Sequence, residues 1–284
     1  MTAFSAFSAF SAFSAFSAFS AFSALHHAET PLLLPNAWDH ASAAALAQQG
    51  FAAIGTTSLG TAAAAGLPDG MSATRHETLL LANRLGNGPF LLSVDAEAGF
   101  SDDPAEVAEL ARELAAAGAA AINLEDGRPD GTLTPAHLHA AKIAAVKAAS
   151  PDLFVNARTD THWLDGPHTD TSRRLDAYQQ AGADSVFVPG LSNPPEIAAL
   201  VKTLDVPLNI LYSPSGPTVA QLGELGVRRV SLGSLLFRAA LGAAVSAATD
   251  IRADRPMRAM APTYAEIQQL CRGVGPDGRA VEGD

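Results

Sequence analysis

One cysteine, Cys271, is all that this 284-residue chain contains, so no internal disulfide can form and nothing favours an oxidising compartment. Basic residues are also scarce, with 18 Lys plus Arg against 29 Asp plus Glu and a formal net charge of -11. That balance speaks against nucleic acid or an anionic membrane as a partner, and points to small-molecule ligands. The three lysines, Lys142, Lys147 and Lys202, fall in helical stretches, which argues against a Schiff-base aldolase. No GxGxxG follows a strand, no Walker lysine motif appears, and no nucleophile elbow is present. The expected location is cytoplasmic.

The N-terminus repeats Ala-Phe-Ser between residues 2 and 23. No positive region precedes it and no cleavage site stands out, so it is a poor signal peptide. Ser at every third position dilutes it as a membrane span. A period of three fits neither strand alternation nor a helical stripe. The expectation is a low-complexity, disordered extension over residues 1–27, outside the fold.

What is abundant is apolar sequence, at 48%. From Leu32 onward, short apolar runs alternate with Ala-rich helical stretches. The runs are Leu32–Pro35, Phe51–Gly55, Phe90–Val94, Ala119–Leu124, Leu153–Asn156, Ser185–Val188, Val206–Ile210 and Arg229–Leu232. Helical patterns lie near 39–49, 72–85, 103–117, 134–149, 170–181, 194–203, 217–225 and 234–248. Several end in Gly just before the next strand (Gly50, Gly118, Gly182, Gly226), the residue that tolerates a left-handed cap. Strand then helix, eight times over, predicts a (β/α)8 TIM-type barrel across residues 28–250. A doubly wound open sheet is the alternative, weakened by the missing glycine fingerprint. Residues 251–284 read as an extra C-terminal helical segment, with a helix near 262–272, and a Gly-rich tail.

Such barrels carry their chemistry at the C-terminal strand ends. Those ends supply Asn36, Trp38 and Asp39; Thr57, Ser58 and Leu59, followed by Asp69; Asp95 and Glu97; Glu125 and Asp126; Arg158 and Asp160; and Asn209. Asp95 and Glu97 stand two apart, which on a strand places them on one face. Glu125 ends the neighbouring strand, about 4.8 Å away. Converging carboxylates repel unless a cation sits among them, and hard oxygen donors favour Mg²⁺, with Mn²⁺ a substitute. The bland reading is that these acids cap helices or pair with arginines, and Asp126 and Asp160 suit it. Arg158 could fork onto a substrate carboxylate or pair with Glu125 or Asp160. Backbone N–H groups of Thr57–Leu59 could meet an anionic substrate end, or form a plain polar turn. His162, just past the fifth strand, is a candidate base or an ordinary rim histidine.

Five motifs, in order, resemble the isocitrate lyase/phosphoenolpyruvate mutase superfamily across about Leu34 to Ala248. They are Asn36-Ala37-Trp38-Asp39, Gly66-Leu67-Pro68-Asp69, Asp95-Ala96-Glu97-Ala98-Gly99, Asn123-Leu124-Glu125-Asp126 and Asn156-Ala157-Arg158-Thr159-Asp160. The resemblance implies that Asp95 ligates Mg²⁺ directly and that Asp69, Glu97 and Glu125 hold metal-bound waters. It implies catalytic roles for Arg158, Glu125 and Asp69. It assigns substrate binding to Trp38, the Thr57–Leu59 backbone, Asp95, Arg158 and Asn209. The implied ligand is a small 2-oxo or 2-hydroxy carboxylate, broken through an enolate. A homo-oligomer, tetramer or dimer, that swaps a C-terminal helix is also implied. One departure stands out. The Lys-Lys-Cys-Gly-His loop of the isocitrate lyases is replaced by the short run Glu125 to Thr134, with no Cys, no Lys, and no His before His137. The mutase Lys-Thr-Asn-Ser stretch is absent too, and Gly190 stands near where the lyases place a Glu. The expectation is a Mg²⁺-dependent C–C lyase or decarboxylase; the alternatives are a phosphonopyruvate hydrolase or mutase acting on a P–C bond, and a catalytically weak 2-oxo acid binding protein.

Overall fold

A computed structural model describes residues 17–164, 168–257 and 261–271. Its centre is a ring of parallel strands. These are β1 (Leu32–Leu34), β2 (Asn36–Ala37), β3 (Ala53–Thr56), β4 (Leu91–Asp95), β5 (Ala119–Glu125), β6 (Phe154–Arg158), β7 (Ser185–Val188), β8 (Leu208–Leu211) and β9 (Arg229–Ser231). β1 and β2 are two halves of one barrel strand divided by Pro35, which has no N–H to give a ladder. The first half pairs with β9 and the second with β3, so the ring closes on itself. The eight-fold barrel expected from the alternation is therefore the fold.

The helices are α1 (residues 17–25), α2 (His40–Gln48), α3 (Ser58–Ala65), α4 (Arg75–Leu85), α5 (Pro104–Ala116), α6 (Ala136–Ala149), α7 (Thr171–Gln180), α8 (Pro194–Val201), α9 (Val219–Glu224), α10 (Leu235–Arg252) and α11 (Tyr264–Leu270). Helix α5 illustrates how the outer layer is held. Asp103 caps it, Pro104 opens it, and Val107, Ala108, Leu110, Ala111 and Leu114 form the buried stripe. Gly50, Gly118, Gly182 and Gly226 adopt φ between 83° and 99°, the left-handed caps foreseen from the chain. Among the described residues no helix is long and apolar enough to cross a membrane.

Two elements depart from expectation. Helix α3 lies in a stretch where the pattern predicts no helix; Thr57 caps it and a run of alanines carries it. The N-terminal repeat, read as disordered, is helical over residues 17–25; residues 1–16 lie outside the described residues. Phe22 and His26 are both fully buried. Phe22 meets Phe154 edge-on at 5.1 Å between centroids, and His26 stacks on the same ring at 4.6 Å. Phe154 begins β6, so α1 plugs the end of the barrel opposite the strand C-termini. A three-residue period drifts around a helix, but a short piece still puts Phe19, Phe22 and His26 on one face.

Above the plug the barrel interior is polar. Asn123, Asn156, Ser185, Asn209, Ser231 and Arg229 are all buried. Asn156 donates to Asn123 (2.8 Å), Ser185 to Asn156 (2.6 Å) and Asn209 to Ser231 (3.0 Å). Arg229 donates to Ser231 (3.0 Å) and Asn123 (3.1 Å), and among the described residues its Nη1 finds no hydrogen-bond partner. Burial pulls its pKa down to about 9, with Asp95 opposing, so it stays charged at neutral pH. This network is the floor on which the strand ends stand.

Candidate active site

A cavity of about 350 Å³ opens at the C-terminal ends of the strands. Of the residues singled out from the sequence, Asn36, Thr57, Ser58, Leu59, Asp69, Asp95, Glu125, Arg158 and Asp160 line it. Asp95 closes β4 and takes its backbone anchor from its own N–H, which donates to the Thr56 hydroxyl (2.9 Å). Its carboxylate accepts from the Ser58 N–H at 3.2 Å, at the first turn of α3, where free amide dipoles favour a negative charge. The Ser58 amide thus serves Asp95 in this structure. Asp69 sits exposed on the rim; desolvation first, then Asp95, raise its pKa, while the Ser58 side chain opposes.

Arg158 ends β6 directly opposite Glu125 in the β5–β6 register. Its Nη1 lies 2.7 Å from Glu125 and its Nε 2.6 Å from Asp160. The ion-pair reading of Arg158 and Asp160 is therefore the geometry, and it still leaves Arg158 lining the cavity. Burial raises Glu125 well above an ordinary carboxyl, with Asp160, Asp95 and Glu97 adding and Arg158 opposing. Asp126 pairs with arginine, as its bland reading held: it is fully buried, accepting from Tyr178 (2.6 Å), Thr159 (2.8 Å), the Asp160 N–H (2.9 Å) and Arg174 (3.0 Å).

Three expected residues fall elsewhere. Glu97 does not line the cavity and does not share a strand face with Asp95. β4 stops at Asp95, Glu97 takes a φ of 47°, and its buried carboxyl accepts from the Thr74 hydroxyl. Two-residue alternation holds only while the strand continues. Burial raises Glu97 to about 7, opposed by Thr74 and reinforced by Asp95 and Asp69. Trp38 is half-buried and packs edge-on against Phe237 of α10 at 5.4 Å, outside the cavity lining. Asn209 is fully buried and supports Ser231, which does line the cavity. His162 lies 3.3 Å from Glu196 and is not among the residues lining the cavity.

Sequence reasoning missed Arg128, Trp163 and Phe187 in the lining and Arg229 beneath it. An Arg inside the apolar run Arg229–Leu232 was a usable signal for a buried cation. Loop residues 128 and 163 carried none, because only the folded loops bring them to the mouth.

The donors facing the cavity are all oxygens. Among the described residues no three Asp, Glu, His or Cys side chains are gathered closely enough to enclose a metal ion by themselves. The set therefore fits an ion that keeps most of its waters and takes few direct protein ligands, as Mg²⁺ does.

Comparison with known proteins adds to this geometry. Residues 22–252 match the family model described as phosphoenolpyruvate phosphomutase. The match begins at Phe22, the buried ring of the barrel plug. An uncharacterized protein of Mycobacterium tuberculosis is 46% identical over 247 residues, covering 86% of this chain and 93% of that one. The 2-methylisocitrate lyase of Bacillus subtilis is 34% identical over 186 residues, 62% of this chain and 61% of the relative. A crystal structure of a putative lyase/mutase from Burkholderia cenocepacia superposes with a TM-score of 0.81 at 34% identity, covering 93% of this chain and 98% of that one.

Proposed function

The chain belongs to the isocitrate lyase/phosphoenolpyruvate mutase superfamily, and from that membership we propose that it is a metal-dependent C–C lyase or decarboxylase acting on a small 2-oxo or 2-hydroxy carboxylate. The observation that carries this reading is the placement of Asp95, Asp69, Glu125 and Arg158 around one cavity at the strand ends. Asp95 would be the direct Mg²⁺ ligand, with Asp69, Glu125 and the more distant Glu97 holding its waters. When bound, the cation supplies the positive charge that lowers the energy of the enolate left as the bond breaks.

The remaining work falls to the chain. Ser58 fixes the Asp95 carboxylate through its N–H. Arg158, held on two sides by Glu125 and Asp160, presents a rigid guanidinium edge that orients the substrate carboxylate. Leu59, Trp163 and Phe187 contribute apolar wall to the cavity. The short loop after β5, residues 126–134, has no cysteine or histidine, so no such loop acid would serve there and the proton that completes the product would come from solvent or from the raised carboxyl of Glu125. That favours a decarboxylation, or a cleavage that needs no loop acid.

The P–C reading keeps support from the name of the matched family model, and loses it where the loop lacks the mutase stretch. The apolar side chains Leu241, Val245, Ile251 and Tyr264, exposed on α10 and α11, support a homo-oligomer built through the C-terminal helices. The deciding experiment incubates the protein with Mg²⁺ and oxaloacetate, isocitrate, methylisocitrate, dimethylmalate or phosphonopyruvate, following 2-oxo acids and phosphate. A 2-oxo acid product that disappears in chelator and in Asp95→Ala is expected, with the fold of the variant intact. Phosphate release favours the P–C enzyme, binding without turnover the binding protein, and full activity in Asp95→Ala overturns the metal reading.

A further inference from the structure

The cavity is acidic: Asp69, Asp95, Glu125 and Asp160 line it against two guanidiniums, Arg158 and Arg128. The two arginines are not equivalent. Arg158 is matched by two carboxylates within 2.7 Å. Arg128 gives its Nε to the Thr134 hydroxyl at 3.2 Å, and among the described residues its terminal nitrogens meet only Asp102, at 3.8 Å. That acid is 78% exposed and is shared with Lys142 at 3.3 Å. An exposed contact of this length is worth little. Arg128 is the cation at this mouth whose charge is not already answered.

It is also rigidly placed. Residues 126–134 form a small hairpin rather than a long lid. The Arg128 N–H donates to Thr132 (2.9 Å), the Gly131 N–H to Arg128 (3.0 Å) and the Thr134 N–H to Asp126 (2.8 Å), while Gly127 bridges to Leu133. The base of the hairpin is Asp126, with its four buried partners. A guanidinium fixed in advance loses little freedom on binding an anion. Behind it a second recess, of about 390 Å³, shares Gly127, Arg128 and Pro129 with the first. Arg128 thus stands between the strand-end carboxylates and further space, where the far end of a longer substrate would lie.

We propose that Arg128 is a specificity-determining residue that takes a second, distal carboxylate, so that the substrate is a 2-oxo or 2-hydroxy dicarboxylate and not a monocarboxylate. The inference rests on the functional reading above for the near end of the substrate. A second carboxylate entering this acidic mouth needs an unmatched cation, and a bidentate guanidinium is the group suited to it.

The test uses the Mg²⁺-loaded protein and calorimetric titration with two probes. Oxalate carries the chelating end alone; 3,3-difluorooxaloacetate carries that end and a distal carboxylate. Arg128→Gln is expected to weaken the difluoro compound about tenfold or more while changing oxalate less than twofold, as befits one charge-assisted contact. Arg128→Lys, which keeps the charge and loses the fork, should fall between. Equal losses for both probes, or no loss for either, overturn the proposal. Failure of the unaltered protein to bind oxalate with Mg²⁺ overturns the functional reading and the inference with it. Unchanged thermal stability of the variants separates either outcome from a folding defect.

Discussion

Replacing Phe22 by Ala tests whether the Ala-Phe-Ser repeat belongs to the fold. Phe22 is fully buried, edge-on to Phe154 at 5.1 Å, with the Arg229 guanidinium 5.9 Å from its ring centre. A buried aromatic removes roughly 150–250 Å² from water, and at about 25 cal/mol per Å² the lower figure already gives nearly 4 kcal/mol. Measured costs of Phe→Ala in cores run about 3–5 kcal/mol once the cavity is included. For a domain of this size that corresponds to a melting shift of roughly 6–20 °C. The neighbouring repeat unit offers an internal control, because Phe19 is only half-buried and lies 6.1 Å from Phe154. Phe19→Ala should cost clearly less, about 2 kcal/mol by the same area argument at its lower figure, and it leaves a smaller cavity. Thermal melts and urea unfolding of both variants measure this. A Phe22→Ala cost below about 1 kcal/mol, or costs equal at the two positions, would refute the plug. One sequence-specific escape exists: sliding the helix by three residues puts another Phe in place. It would drag His26 off Phe154, on which it now stacks, so the slip recovers only part of the loss.

Two further outcomes follow from the site. Burial raises Glu97 from 4.5 to about 7, so the folded chain holds a proton that the unfolded chain releases in that interval. Metal-free protein should therefore lose up to roughly 3 kcal/mol as pH rises from about 4.5 through 7. Urea titrations in chelator check it: Glu97→Gln should flatten the slope, Mg²⁺ should restore stability above pH 7, and an unchanged slope in the variant rules the argument out. A methyl group at Gly127 would overlap Oδ2 of Asp160, the carboxylate whose Oδ1 holds Arg158. Gly127→Ala should then lower turnover at least tenfold with a modest stability change, whereas a melt that collapses in parallel would mean the hairpin itself had failed.

Much of the barrel was readable because it is written in periodicity and punctuation. Apolar runs of four to six residues, helices closed by Gly50, Gly118, Gly182 and Gly226, and openers such as Asp103-Pro104 are local signals, and each is realised. The C-terminal side of the strands was readable to within a residue or two, which is why Asp95, Glu125 and Arg158 could be named from spacing and found together. Local pattern misplaced side chains whose position depends on what lies beyond their own element. Glu97 turns away because the strand ends two residues sooner than alternation assumed. Trp38 and Asn209 sit at the right height on the barrel but pack against Phe237 and Ser231.

The sequence alone determined the ring of strands, the end of it that carries chemistry, and the acids and arginine that converge there, since each follows from local pattern and from barrel closure. Only the tertiary structure decided that a drifting three-residue repeat supplies a buried plug, that Arg158 is already matched while Arg128 is not, and that Arg229 lies charged beneath the floor. The physical reason is that burial and charge pairing are properties of neighbours distant in the chain, and no local period encodes them.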